Sequence, residues 1–226
     1  MKKKKFIILG ILIILFIAIV VVIVLNNRVK KLDYSINTIS ENKLECFDKS
    51  KKCDNATLII IKVNEKEKYN FYVINDENNI LTLLMDKNIG NNTNWSANNI
   101  TCSRGPDNLI SYIKELTAAW LYIESKEYIM YDSNGCYENK KENMKARIPT
   151  YEDVSKLGCE YFNKNTCPDY VTSNLGTNSS GYWLSTSVFP NDTQAAYAVY
   201  KEKNLVQPSI IDSKYYGLRL IIEVEK

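Results

Sequence analysis

The sequence predicts an α+β domain behind a single N-terminal transmembrane helix, and three observations carry that prediction. An unbroken apolar run occupies residues 6–25, directly after four lysines. In the rest of the chain, β-branched and aromatic runs come first, two helical patterns follow, and further β runs close the sequence without regular βαβ alternation. Hydrophobic residues make up 45% of the 226 residues, which excludes an intrinsically disordered chain.

Residues 6–25 are the predicted membrane anchor. At about 1.5 Å rise per residue, a helix of this length spans a hydrocarbon core of about 30 Å. A cleaved signal peptide is the alternative, but its apolar region is usually shorter and ends at a small-x-small site, whereas this run ends in Val-Leu-Asn-Asn. The lysines in residues 1–5 predict a cytoplasmic tail, and the positive-inside rule then favours an external C-terminus. We therefore expect a single-pass protein of the cell membrane whose residues 6–25 contact the lipid bilayer.

Residues 26–44 are polar and lack a periodic apolar face, so they predict a stalk, and residues 45–226 are the predicted extracellular domain. Eight of the 29 basic side chains but two of the 26 acidic ones precede residue 45, which leaves the domain with a net charge of −3. Such a mixed, mildly acidic surface does not predict a nucleic-acid partner. The chain has no histidine, which excludes Ser-His-Asp and Cys-His catalysis and His-ligated zinc.

The six cysteines predict disulfide bonds in an oxidising exterior. Two close pairs, CFDKSKKC and CEYFNKNTC, are spaced too widely for a zinc knuckle and can close small disulfide loops. Many connectivities are open to six cysteines, and we favour sequential pairing, which joins Cys46 to Cys53, Cys102 to Cys136 and Cys159 to Cys167. No metal ligand set and no cofactor are predicted, because clustered carboxylates of a calcium loop are missing from the sequence as well.

Strands are predicted where β-branched and aromatic residues alternate with polar turns. The first three cover 56–63, 69–76 and 80–86, with a hairpin turn in the cluster Asn-Asp-Glu-Asn-Asn at 75–79. The later ones cover 181–188 and 193–200 and the runs LVQPSII and YYGLRLIIEVE. Together they indicate two groups of strands separated by a helical middle.

Two helices are predicted between these groups of strands. In the first, Leu109, Ile113, Leu116 and Trp120 lie at intervals that place them on one helical face. In the second, the sequence RIPTYEDVSKLG predicts a capping box between Thr150 and Asp153 and a helix end at Gly158.

Some residues that suggest chemistry have a simpler structural interpretation. Glu152 and Asp153 at the start of a helix are explained by the helix dipole. We expect Arg147 to form a hydrogen-bonded pair within its own turn, with Glu152 as the candidate acceptor. Trp120 and Trp183 are predicted core residues, whereas Trp95 lies in an asparagine-rich segment that supports either a core or a surface position.

From about residue 69 onward the chain resembles a family of bacterial surface proteins with a C-type-lectin-like domain. The matching stretches, in order, are YNFYVIND, LTLLMDKNIG, KARIPTYEDVSKLGC, GYWLSTS and YYGLRLIIEVEK. The RIPTYED stretch also resembles a segment of the formylglycine-generating enzymes, which share that fold. The chain departs from the closer family on its last strand, where Leu220 stands in place of a proline.

The resemblance implies a compact α+β domain, with its two ends close together and large irregular loops in its C-terminal half. It does not imply an activity, and the cysteine motif of the formylglycine-generating enzymes has no clear match here. Calcium-dependent lectins of this fold carry Glu-Pro-Asn or Gln-Pro-Asp and Trp-Asn-Asp motifs. This chain has Gln-Pro-Ser at 207–209 and Trp-Leu-Ser at 183–185 instead, so that calcium site is not expected.

We therefore expect a cell-surface binding module without catalytic activity, whose ligand is a surface glycan or a protein. A structural component of the cell envelope and an enzyme of the formylglycine-generating type are the alternatives. The resemblance places recognition in the C-terminal loops, which mix aromatic and short polar side chains as binding surfaces do. The predicted ligand residues, called the C-terminal surface below, are Phe189, Asn191, Asp192, Gln207, Ser209, Asp212, Tyr215 and Tyr216.

Overall fold

A computed structural model describes residues 13–24, 44–97, 105–130, 140–176, 178–188 and 194–226. Residues 13–24 are helical and all of their side chains are exposed. Among the described residues, no helix is both long enough and apolar enough to cross a bilayer. The rest of the predicted anchor and all but the last residue of the predicted stalk lie outside the described ranges.

The domain is α+β, as predicted. Along the chain, three described strands come first, then three helices with one hairpin after the first of them, and five described strands follow. The strands are β1 (Leu58–Lys62), β2 (Lys68–Glu77), β3 (Ile80–Met85), β4 (Lys126–Met130), β5 (Lys140–Met144), β6 (Gly181–Ser187), β7 (Ala195–Tyr200), β8 (Leu205–Ile210), β9 (Tyr216–Gly217) and β10 (Ile221–Glu225). The helices of the domain are α1 (Asp107–Leu116), α2 (Tyr151–Lys156) and α3 (Asp169–Thr172), with short 3₁₀ turns at Leu44–Phe47 and Lys201–Lys203.

The first sheet has the strand order β1-β2-β3-β10, and all of its described pairs are antiparallel. The β2–β3 hairpin turns at Asn78 and Asn79, whose φ angles of 53° and 60° are those of a tight primed turn. Asparagine tolerates this left-handed conformation better than most residues, which confirms the hairpin predicted there. The last strand therefore returns to pair beside one of the first, and the two halves of the domain share a sheet.

The second sheet has the strand order β8-β7-β6-β9, in which β6 and β9 are parallel. All seven residues of β6 are buried, so this strand is covered on both faces. A separate hairpin pairs β4 with β5. This hairpin and α3 have no counterpart in the sequence prediction, because the strand Lys140–Met144 is mostly charged and α3 is a single turn.

The main core lies between the inner face of the first sheet, α1 and the second sheet. All three tryptophans belong to it, which confirms the core positions predicted for Trp120 and Trp183 and adds Trp95. Trp120 follows the end of α1 rather than lying within it, since the helix ends at Leu116. A second cluster packs α2 and α3 against the outer side of β6, β7 and β8.

The capping box of α2 is present as predicted. The Thr150 hydroxyl accepts from the Asp153 backbone N–H at 3.0 Å, and the Thr150 N–H donates to the Asp153 carboxylate at 2.7 Å. The hydrogen-bonded pair predicted for Arg147 is present, but the candidate acceptor Glu152 is wrong. Arg147 binds Asp153 instead, because the side chain of Asp153 turns back toward the helix start, whereas Glu152 pairs with Lys156 on the exposed side.

Two of the predicted disulfides are confirmed, since Cys46 is bonded to Cys53 and Cys159 to Cys167. None of these four described cysteines is free. Cys102 and Cys136 lie outside the described residues. The first disulfide loop is also held by Lys226, whose ammonium group donates to the carbonyl of Lys51 at 2.7 Å, so the last residue lies beside the first turn of the domain.

Candidate functional site

The C-terminal surface lies only in part within the described residues. Phe189, Asn191 and Asp192 fall outside them. Of the other predicted ligand residues, Asp212 and Tyr215 are exposed in the turn between β8 and β9, and Tyr215 is 70% exposed. These two are the predicted residues that the structure presents to solvent.

Gln207 and Tyr216 are brought together, but they contact one another. Gln207 Nε2 donates to the Tyr216 hydroxyl at 3.1 Å. The ring of Tyr216 is buried and packs on Trp183, with 4.8 Å between the ring centroids. Ser209 lies between them and the exposed turn, on the edge strand β8 and half-buried. Tyr216 is therefore a buried residue that packs beneath the C-terminal surface and does not itself face solvent.

The segment 93–95 is fastened beside this turn by two tryptophans. Trp183 Nε1 donates to the Thr93 carbonyl at 2.8 Å, and Trp95 Nε1 donates to the Leu184 carbonyl at 2.7 Å. The Thr93 N–H in turn donates to the Tyr216 carbonyl at 3.1 Å. The sequence segment that precedes α1 is thereby held against β6 and β9.

A cleft of about 330 Å³ opens between this fastened segment and the polar face of α1. Its walls are uncharged amides and hydroxyls, with one carboxylate. We call it the asparagine cleft, and its lining residues are Asn91, Asn92, Thr93, Asn108, Ser111, Tyr112 and Glu115. Volumes of this order are at the lower end of the range of small-molecule sites.

Asn108 joins the two walls of the asparagine cleft. Its Nδ2 group donates to Thr93 Oγ1 at 3.0 Å, to Asn94 Oδ1 at 2.7 Å and to the Asn94 carbonyl at 2.8 Å. An amide has two hydrogens, so three acceptors share them and the group is fully engaged. Among the described residues, Asn108 Oδ1 has no hydrogen-bond donor.

Tyr112 and Gly90 fix the neighbouring part of the wall. The Tyr112 hydroxyl accepts from the Asn91 backbone N–H at 2.8 Å. Gly90 has a φ of +69°, and a Cβ atom on it would lie 2.5 Å from that hydroxyl. Glycine is therefore required here both for the left-handed backbone and for the space that the tyrosine occupies.

The remaining hydrogen bonds consume further donors of the cleft. The Ser111 hydroxyl donates to the Asp107 carbonyl at 2.9 Å, and Asn92 Nδ2 donates to the Asn178 carbonyl at 2.7 Å. Glu115 is exposed, and its carboxylate has no partner among the described residues. The neighbouring Lys114 is paired with Glu142 at 2.7 Å. Along Asn108, Ser111 and Glu115, the α1 wall of the cleft thus presents acceptor oxygens and one negative charge.

The sequence prediction missed this cleft. The signal was present on α1, because positions 108, 111, 112 and 115 are spaced as one helical face, opposite the apolar positions used to predict the helix. The other wall, Asn91 to Thr93, is an asparagine-rich stretch whose composition also suits an ordinary turn. Nothing local in the sequence joins the two.

A second cleft of about 380 Å³ lies over the Cys46–Cys53 loop, lined by side chains of both charges. Next to it, Lys226 Nζ lies 2.5 Å from Asp76 Oδ2, and the same oxygen accepts from the Cys53 N–H at 2.6 Å. Burial opposes the charge of Asp76, but these two donors together lower its pKa. This arrangement anchors the disulfide loop, and its polar groups are already paired with one another.

Among the residues that the structure describes, no three His, Cys, Asp or Glu side chains are grouped so as to hold a metal ion. In comparisons with known proteins, the chain matches no protein-family model, no curated protein and no solved structure.

Proposed function

We propose that this chain is a single-pass protein of the cell membrane whose extracellular domain, of C-type-lectin-like fold, binds a surface ligand without catalysing a reaction. The observation that carries the proposal is the exposed face formed by the asparagine cleft together with Asp212 and Tyr215. The bonds from Thr93 to Tyr216, from Asn92 to Asn178 and from Ser180 to Tyr215 join its parts. Rigid aromatic and amide groups of this kind are the usual components of binding surfaces.

Two further observations support the fold and the location. The contact of Lys226 with Lys51 brings the two ends of the domain together, as the resemblance implies. The described residues between α2 and β6, 157–176 and 178–180, contain the single-turn helix α3 and are otherwise mostly loop, which also agrees with the resemblance. Helical residues 13–24 expose every apolar side chain, and surface of that kind needs a cover. A lipid bilayer provides one, and disulfides in the same chain suit an extracellular domain.

The proposal is tested with the full chain on intact cells and in lipid nanodiscs. Protease added to intact cells is expected to digest residues after the anchor, and nanodisc-bound chain is expected to retain one component from panels of surface glycans and envelope extracts. Protection of the domain, or no retention of any component, contradicts the proposal.

Tyr215→Ala tests the location of the binding face. Tyr215 is 70% exposed, so its removal leaves the core intact, and binding is expected to weaken about tenfold or more if its ring contacts the ligand. Tyr161→Ala is the matched control, since Tyr161 is an exposed tyrosine in the Cys159–Cys167 loop. Equal binding by wild type and Tyr215→Ala places the ligand away from this turn.

A further inference from the structure

We infer that the asparagine cleft binds an ammonium group, carried by a ligand of monosaccharide size, and that its ligand class is the amino sugars with a free amine. The inference rests on the proposed binding function and narrows it to one cleft and one chemistry. It also moves recognition from the C-terminal surface predicted from the sequence to the polar face of α1.

The donors of Asn108 and Ser111, on the α1 wall of the cleft, are consumed by the protein itself. Both hydrogens of Asn108 Nδ2 and the hydroxyl hydrogen of Ser111 go to protein oxygens. The oxygens of these two side chains remain as acceptors. A ligand group that binds against them must bring its own hydrogens, as ammonium and hydroxyl groups do.

The asparagine cleft carries one negative charge, which favours a cationic ligand. Glu115 is the single charged side chain among the lining residues, and it has no cation of its own among the described residues, because Lys114 is engaged by Glu142. A ligand that carried a carboxylate or phosphate would be repelled by it. Hydrogen bonds between a charged donor and a charged acceptor are about twice as strong as neutral ones, so a cationic donor gains most here.

The number of carboxylates in the cleft favours an organic cation over a metal ion. Calcium takes six to eight oxygen ligands, usually including several carboxylates, and the cleft has one. An ammonium group needs about three acceptors, and the oxygens of Asn108, Ser111 and Glu115 lie on successive turns of one helical face along the cleft. The ring of Tyr112 adds an apolar and weakly cation-attracting wall, which suits the carbon face of a sugar.

The walls of the cleft are held by hydrogen bonds within the protein, so they are formed before any ligand arrives. Asn108 is held by three acceptors, the Tyr112 hydroxyl by the Asn91 N–H, and the Thr93 carbonyl by Trp183. Walls fixed in this way lose little conformational entropy on binding, so the side chain of Glu115 is the main group that a ligand must order.

The test uses the full chain in lipid nanodiscs and three matched probes: glucosamine, N-acetylglucosamine and glucose. They differ in whether an ammonium, a neutral amide or a hydroxyl occupies one position. Calorimetric or NMR titration is expected to show glucosamine binding about two- to fivefold more tightly than the other two, the range expected for an ion pair with an exposed carboxylate. The preference is expected to shrink as salt rises, because the contact is partly exposed.

The variants locate the contact. Glu115→Gln is expected to remove the preference for glucosamine, and Glu115→Lys to abolish its binding. Glu77→Gln, an exposed carboxylate at the end of β2, is the control and is expected to bind as wild type does. Circular dichroism melting checks that the variants fold.

Each other outcome overturns the inference. Equal binding of the three sugars, no binding of glucosamine, a calcium ion that displaces it, or binding that survives in Glu115→Lys would each do so. The proposed function is scored separately, by retention of an envelope component and by protease access. If the chain retains such a component but does not bind glucosamine, the proposed function stands and the inference is overturned. If it binds glucosamine but retains no component and its domain is protected from protease, the inference stands and the proposed function is contradicted.

Discussion

Two arginines near the same strand carry their charge in different ways. Arg147 and Arg219 lie on segments that meet at β10, since the Arg147 N–H donates to the Ile221 carbonyl at 2.9 Å and Arg219 precedes that strand. Both guanidinium groups are largely or fully removed from water. One is surrounded by carboxylates and the other by carbonyls, and this difference separates two means of burying a cation.

Arg147 is neutralised by two acids. Its terminal nitrogens bind both oxygens of Asp153 at 2.6 and 3.0 Å, and its Nε lies 3.3 Å from Glu223. Burial opposes the charged form of Arg147, but the two carboxylates outweigh it and raise its pKa. Burial likewise opposes the charge of Asp153, yet Arg147 and the capping bonds of Thr150 lower its pKa.

Arg219 is fully buried and has no carboxylate within ion-pair distance among the described residues. It donates instead to the carbonyls of Met85, Val171 and Tyr170, the last at 2.7 Å, and its guanidinium lies 5.6 Å from the centre of the Tyr182 ring. Burial lowers the pKa of Arg219. This residue ties the end of β3 to α3 through neutral acceptors, so it links the first sheet to that helix by hydrogen bonds.

Removal of the Arg219 side chain is expected to have the largest effect on the free energy of unfolding. Arg219→Ala leaves three buried carbonyls without donors and a cavity the length of the side chain. We expect a loss of about 4 kcal/mol or more in the free energy of unfolding, because each stranded polar group costs about 1–3 kcal/mol and the cavity adds to that. Urea unfolding of the full chain in detergent measures it, and a loss below about 1 kcal/mol would contradict the role assigned to the carbonyl contacts.

Arg147→Met is expected to cost less, about 2–3 kcal/mol near neutral pH. Removing one member of a buried pair typically costs about 3–5 kcal/mol, but 15–18% of each side chain of this pair is exposed, which lets water solvate the stranded Asp153. The pH dependence is the sharper measurement. In the wild type the lowered pKa of Asp153 stabilises the fold above about pH 4, and this contribution is lost as the pH falls through that lowered pKa.

In Arg147→Met, the carboxyl of Asp153 keeps its burial but loses the guanidinium, so its pKa rises. The difference in stability between wild type and variant should therefore shrink as the pH is lowered from 7 to 3. The deficit of Arg219→Ala should change less over the same range, because its hydrogen-bond acceptors are neutral carbonyls, which do not titrate. Parallel pH profiles for the two variants would mean that the charges of Asp153 and Glu223 are not what distinguishes the two sites.

The two arginines also mark how far the sequence predicts the structure. The capping box at Thr150 and Asp153 is a spacing within one turn, so it could be predicted, and the error about Glu152 was a choice between adjacent acids. The acceptors of Arg219 lie 134 and 48 residues away in the chain, and no local pattern connects them. The first three strands and the hairpin at Asn78 and Asn79 were predictable for the same local reason.

The asparagine cleft likewise has one wall that local sequence predicts and one wall that depends on distant contacts. One wall of the asparagine cleft follows from the helical spacing of Asn108, Ser111, Tyr112 and Glu115. The other wall is brought in by hydrogen bonds from Trp95 and Trp183 to residues about 90 positions away. The burial of Trp95 in an asparagine-rich segment is the one feature that decides where that wall lies, and its sequence context supported either position.

An exposed ion pair on α2 has nearly the same length as the buried Arg147–Asp153 pair, and its loss is expected to have the smallest effect on stability. Glu152 and Lys156 lie 2.8 Å apart on α2, close to the 2.6 Å of the Arg147–Asp153 pair, but their side chains are 66% and 71% exposed. Water and salt screen such a pair, so Glu152→Gln is expected to lower the free energy of unfolding by less than about 0.5 kcal/mol. In high salt the difference should vanish, whereas the cost of Arg147→Met should persist because its surroundings exclude ions. A loss above about 1 kcal/mol for Glu152→Gln would show that distance, rather than removal from water, sets the strength of the pairs on this helix.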